Sequence, residues 1–144
     1  MATTASLTLA SADIAGDPVS VSKTATLTKA GSLNDLDQST GLNRVHLRST
    51  SEKLLLAANA EGNDLAAKVY IINKSEDSSL YVTVKINAQT IGKLYGGDFL
   101  FIPWSQTDVS ADIKVTANNW TSSTGDIPVE YALFHEDTDF LTNA

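Results

Sequence analysis

The sequence contains no cysteine, which excludes a disulfide framework, thiolate metal sites and cysteine nucleophiles. Cations are scarce: 10 Lys and Arg stand against 17 Asp and Glu, a net charge of −7. Such a chain matches a phosphate backbone poorly, so direct nucleic-acid binding is not expected. Apolar runs are short, and nowhere do about 18 apolar residues follow one another as a membrane-spanning helix requires. The opening Met1-Ala-Thr-Thr-Ala-Ser-Leu-Thr-Leu-Ala10 lacks the basic region and apolar stretch of a secretory signal. A protein made in a reducing cytoplasm, without a membrane partner, is the expectation.

What the chain does have is length and texture for one domain. Its 144 residues, 42% hydrophobic and 19% charged, suffice to bury a core without staples. Ser and Thr are abundant and favour strands over helices. Period-two alternation is clearest at 80–86, where Leu80, Val82, Val84 and Ile86 share one face and Tyr81, Thr83 and Lys85 the other. Ile113, Val115 and Ala117 alternate in the same way, as do Ile127, Val129, Tyr131 and Leu133. Residues 66–72 and 98–104 are apolar on both faces, as in a central strand or one at a subunit contact. Pro103 should end its strand or place it at an edge. Turns are expected at 73–79, 95–98, 105–108 and 118–126, a spacing that suits a meander or Greek key.

Leu42–Leu56 should hold two strands, with 52–58 read as strand over a competing short helix. The predicted fold is an all-β antiparallel sandwich, Greek-key or jelly-roll-like, with a core of Tyr70, Ile72, Val82, Val84, Phe101, Ile113, Val115, Val129, Tyr131 and Leu133. Large apolar residues are sparse between Thr3 and Ala30, where two narrow strands flank a Gly16-Asp-Pro18 turn. Residues 1–40 are therefore assigned to amino-terminal strands or an assembly arm, and 41–144 to the sandwich. The arm would order against neighbours by strand pairing; two ordinary edge strands are the alternative.

Catalytic patterns are missing. No Gly-x-Ser-x-Gly or serine–lysine signature occurs, and Gly92-Lys93 and Gly96-Gly97 are read in a turn before a strand, where a phosphate loop would open a helix. His135 has no second histidine nearby. Carboxylates gather at Asp35 and Asp37, at Glu76 and Asp77, and at Glu136, Asp137 and Asp139, and none completes a calcium loop. No catalytic residue, metal or cofactor is expected. Asn73-Lys-Ser75 and Asn119-Trp-Thr121 match the glycosylation acceptor only as coincidences of composition. The candidate interface residues are Arg44, His46 and Arg48, a basic stripe on a polar strand face, and the aromatics Tyr95, Phe99, Trp104 and Trp120. Trp120 is the best exposed anchor; exposed coplanar rings would instead suit a sugar platform.

From Lys68 onward the chain resembles small accessory proteins of tailed-phage virions. The resemblance is carried by Lys68-Val-Tyr-Ile-Ile-Asn-Lys-Ser75, Leu80-Tyr-Val-Thr-Val-Lys-Ile86, Ile91-Gly-Lys-Leu-Tyr-Gly-Gly-Asp-Phe-Leu-Phe-Ile-Pro-Trp104, Asp112-Ile-Lys-Val-Thr-Ala117 and Val129-Glu-Tyr-Ala-Leu-Phe134. The front part, Leu33-Asn-Asp-Leu-Asp-Gln-Ser-Thr-Gly-Leu-Asn-Arg44, is similar in kind. It implies a non-enzymatic capsid decoration or cement protein, an oligomer assembled in the host cytoplasm, whose partners are the major capsid protein or other virion proteins. A tail, connector or fibre component and a carbohydrate-binding module using Trp104 or Trp120 are the alternatives.

Overall fold

The structure, a computed structural model, describes residues 3–11, 19–27, 36, 38–58, 66–105 and 110–135. The turn expected at Gly16–Pro18, most of that at 105–108, and the carboxylates Asp35, Asp37, Glu136, Asp137 and Asp139 lie outside the described residues. Among those described, every regular element is a strand. They are β1 (Thr4–Ser11), β2 (Val19–Thr26), β3 (Gln38–Ser39), β4 (Asn43–Leu47), β5 (Lys53–Leu56), β6 (Ala66–Asn73), β7 (Tyr81–Ile86), β8 (Gln89–Tyr95), β9 (Phe99–Ser105), β10 (Ile113–Thr116) and β11 (Ile127–His135). All pairings are antiparallel. The fold is all-β, as its alternating pattern predicts.

Three sheets form. One has four strands in the order β5-β10-β7-β8; another runs β3-β11-β6-β9, with β4 also on β11; β1 and β2 pair only with each other. Most sheet neighbours are distant in sequence, as Greek-key connections produce, so the meander alternative is set aside. The two larger sheets pack face to face over Val69 and Ile71 on one side and Val82, Val84, Ile113 and Val115 on the other, all fully buried, with Val129 and Leu133 from β11. Two sheets enclosing such a layer are the sandwich solution to burying one face of each.

The core differs from expectation on β6 and β9. Val69 and Ile71 point inward, while Tyr70, Ile72 and Phe101 lie on the outer face. These strands are apolar on both faces, so their own sequence carries no phase. Register supplies it, since Val69 faces Leu133 and Ile102 across its two neighbours. Tyr131 is half-buried against the core. Pro103 sits opposite Lys68 and the strand continues past it to Ser105. It is tolerated there because β9 is the sheet edge.

Gly92 and Lys93, expected in a turn, lie inside β8. The turn is Asn87-Ala88, both left-handed at φ 52° and 59°, which makes β7–β8 a two-residue hairpin of the twist-matched kind. Alanine there costs about 1–2 kcal/mol of steric strain, against a glycine flexibility penalty of about 0.5–1 kcal/mol. Ala88→Gly is therefore expected to raise stability by about 0.5–1 kcal/mol, read from the midpoint of urea unfolding. The phase of β6 gives a second expectation from the same measurement. Ile71→Ala should cost about 2–5 kcal/mol, the range for deleting a buried aliphatic side chain, whereas Ile72→Ala one residue later should cost about 1 kcal/mol or less.

Candidate functional site

The sandwich has two outer faces of different chemistry. On the four-stranded sheet the outer side chains are mostly polar. Glu52 bridges Lys85 at 3.3 Å and Lys114 at 3.5 Å, and Thr83 hydrogen-bonds the Asn118 side chain at 2.6 Å. Tyr81 and Tyr95 stack obliquely, with centroids 5.1 Å apart, beneath the Lys93 ammonium.

On the five-stranded sheet the outer face around β6 and β9 is apolar and aromatic. Tyr70 and Phe99 approach to 6.2 Å and Phe101 and Phe134 to 6.4 Å. Phe99 remains 57% exposed and Phe101 39%. Period two explains the cluster, because each ring sits between inward residues of its strand. The Tyr95–Trp104 crowd of aromatics therefore separates into three places: Tyr95 on the polar sheet, Phe99 and Phe101 on the apolar face, and Trp104 in the core. Tyr70, expected in the core, and Phe134, not singled out from the sequence, complete the apolar face. The signal for Phe134 was present as a position out of phase with Leu133, whereas β6 carries no phase that would have turned Tyr70 outward.

The two tryptophans do not serve as exposed anchors. Trp104 is buried and donates its indole N–H to the Ala111 carbonyl at 2.8 Å. Trp120 is half-buried against the core and donates to the Gly125 carbonyl at 2.7 Å. Both indole donors are thereby satisfied within the fold, as packed tryptophans require.

The basic stripe runs along β4 to Arg48 just beyond its end and is met by carboxylates. Arg44 lies directly across from Glu130 and pairs with it. Arg48 reaches Asp126 at 2.9 Å, and His46 Nδ1 lies 3.7 Å from the same carboxylate. Opposite charges at facing strand positions are the favourable cross-strand arrangement. His135 is buried at the end of β11. Among the described residues no three potential metal ligands gather, and no helix is long and apolar enough to cross a membrane.

The β1–β2 hairpin stands over the apolar face. Its register sets Leu7 opposite Lys23, Leu9 opposite Val21 and Ala5 opposite Ala25. One face of the ribbon is thus apolar and the other is built from Ser and Thr, with Ser6 and Thr24 hydrogen-bonded across it at 2.9 Å. Between ribbon and sheet runs an open groove of about 1070 Å³, lined by Ala5, Leu7, Leu9, Ala25 and Leu27 from one side and Tyr70, Phe99 and Phe101 from the other. Lys23, Lys68, Ser6, Thr8 and Thr26 also line it, and among the described residues no carboxylate does. No known protein family, curated protein or solved structure matches the chain.

The Arg44–Glu130 pair makes a checkable statement about acid stability. The hydrogen bond from Arg44 holds the Glu130 carboxyl below the ordinary glutamate value, with the charges of Arg44 and Lys74 adding to it. A carboxyl depressed in the folded state contributes stability that is complete above its unfolded pKa and is lost as pH falls through the folded one. Glu130→Gln is expected to lower Tm slightly at neutral pH, with the difference from the parent vanishing in acid. Thermal unfolding followed by circular dichroism across that range is the test.

Proposed function

We propose that the protein is a non-enzymatic structural component of a virion, a decoration or cement protein that binds the major capsid protein and bridges neighbouring shell subunits. The observation that carries this reading is the difference between the two outer faces: on one, paired charges accompany the separately exposed Leu54, Ile91 and Tyr95, and on the other Tyr70, Phe99, Phe101 and Phe134 gather in one open aromatic patch. Exposed apolar area of this kind marks interaction surfaces, because water is more favourably expelled from it than retained. Among the described residues the wide groove is lined mainly by apolar side chains, with Lys23, Lys68, Ser6, Thr8 and Thr26 between them.

A tail, connector or fibre role would use the same surface, and no feature of the structure favours it over decoration. A sugar platform is less well supported. It wants exposed coplanar rings, whereas the exposed ring pairs are tilted by 43°, 48° and 67°, and both tryptophans are packed.

On this reading the protein co-sediments with intact particles in stoichiometric amounts, and particles lacking it lose their contents at lower temperature. Adding the purified protein back restores resistance. Phe99→Asp together with Phe101→Asp should weaken shell binding by tenfold or more, since anchors of an interface typically contribute over about 1 kcal/mol each. Particles that are equally heat-resistant without the protein, and carry none of it, would overturn the proposal.

A further inference from the structure

The groove between ribbon and sheet is mainly apolar and carries one cation on each wall. Lys23 stands on the ribbon, opposite Leu7, and Lys68 on the sheet, opposite Phe134. Among the described residues no carboxylate lines the groove and none pairs with either lysine. Like charges on two walls of one cleft repel each other. They do so here beside Leu7, Leu9, Phe99 and Phe101, all substantially exposed. A filling that suits this groove is acidic in one part and apolar in another.

The chain carries such a segment next to the groove. β11 ends with Phe134, whose ring meets that of Phe101 at 6.4 Å, and His135. Residues 136–144 follow in sequence and lie outside the described residues. They begin Glu136-Asp-Thr-Asp139, with three carboxylates, continue with Phe140-Leu141 and include no Lys or Arg.

We propose that residues 136–141 occupy the groove of their own chain, the carboxylates of Glu136, Asp137 and Asp139 meeting Lys68 and Lys23, and Phe140 and Leu141 covering Tyr70, Phe99 and Phe101. The contact is an autoinhibitory cover for the face assigned above to shell binding. It rests on that reading for its purpose.

Three observations select this occupant. The first is position. Phe134, Lys68 and Pro103 form one row across the sheet, and Phe99 lies four residues further along β9, about 13 Å away at strand spacing. Residues 136–144 span about 30 Å when extended, enough to turn back and reach the far ring. The second is charge, because an acidic stretch placed between two like-charged walls replaces their repulsion by attraction to both. The lysine stems can then lie along the apolar lining with their ammonium groups at the carboxylates. The third is covalent attachment. A tethered segment meets its site at an effective concentration on the order of millimolar, which a separate molecule in dilute solution does not reach. A shell partner displaces the segment by offering more contact than six residues provide, and until then the aromatic patch is withheld from unspecific association.

The absence of cysteine makes the test direct. The full-length Phe99→Cys, Phe140→Cys double variant is oxidised in dilute solution and weighed by mass spectrometry without reduction. An intrachain disulfide is expected to form about tenfold faster or more than in the Ile91→Cys, Phe140→Cys control, since Ile91 is exposed on the other sheet. Adding Glu136→Lys, Asp137→Lys and Asp139→Lys should slow the first reaction to the rate of the control. Equal rates in the two double variants would overturn the proposal, as would a rate indifferent to the charge reversals. A disulfide that forms only between chains, on mixing the Phe99→Cys and Phe140→Cys single variants, would assign the groove to a neighbour's segment and overturn it too.

Shell binding is scored separately with Phe140→Ser, Leu141→Ser, which frees the face without altering charge. Binding to particles should tighten by about tenfold, the factor expected when one copy in ten is open beforehand; unchanged binding would overturn the inhibitory role. An intrachain disulfide in a protein that binds no particle, with or without these substitutions, defeats the assembly reading and leaves the contact standing. Particle binding without the disulfide defeats the contact alone.

Discussion

The side chain of Asn73 ties the two sheets together at one end of the sandwich. It is fully buried at the last position of β6, and its amide donates to the Leu80 carbonyl at 3.1 Å and the Leu94 carbonyl at 2.9 Å, both belonging to the opposite sheet or its approach. Its Oδ1 accepts the Ser75 N–H at 2.9 Å. The backbone is engaged as well, donating to the Asp98 carbonyl and accepting from the Gly97 N–H. Leaving such groups unpartnered in the interior costs about 1–3 kcal/mol apiece, so β6, the approach to β7, β8 and the start of β9 are held as a unit. Gly96 completes the arrangement: a Cβ there would lie 2.4 Å from the Asp77 carbonyl oxygen.

That polar tie decides the chemistry of the surface. With Asn73 inward, Ile71 and Val69 must also be inward, and Ile72 and Tyr70 are turned out. The same register places Phe99 opposite Ile72 and Phe101 opposite Tyr70, so the rings of β9 share the outer face. A slip of one residue would bury the aromatics and expose the valine and isoleucine. The open apolar face is thus a consequence of a hydrogen-bonded asparagine.

This also explains which parts of the molecule were legible in the sequence. On β7 and β10, polar residues at every second position state the phase outright, and Val82, Val84, Ile113 and Val115 occupy the core as read. On β6 the pattern is silent, because Val69-Tyr-Ile-Ile72 is apolar throughout. The residue that breaks the tie, Asn73, is polar and suggests the surface or a turn, and nothing local reveals two carbonyls waiting for its amide. The β7–β8 hairpin was hidden for a similar reason. Asn-Ala replaces the Asn-Gly that signals such a turn, so 89–95 did not read as a strand. For the candidate interface, composition located the aromatic stretch but not the three directions in which it is distributed. Tyr70 and Phe134 join Phe99 and Phe101 only once pairing brings distant segments side by side.

Edge chemistry then shapes how the molecule can associate. β9 borders the open face and would be the natural place for a neighbour to add a strand. Pro103 removes one donor from that edge, which disfavours continuation of the sheet. The β1–β2 ribbon offers a different mode. Among the described residues each of its strands pairs with the other along one side only, so its outer edges keep free backbone groups, while its apolar character lies in the side chains of one face. A contact made through that face needs no new backbone register in a recipient sheet.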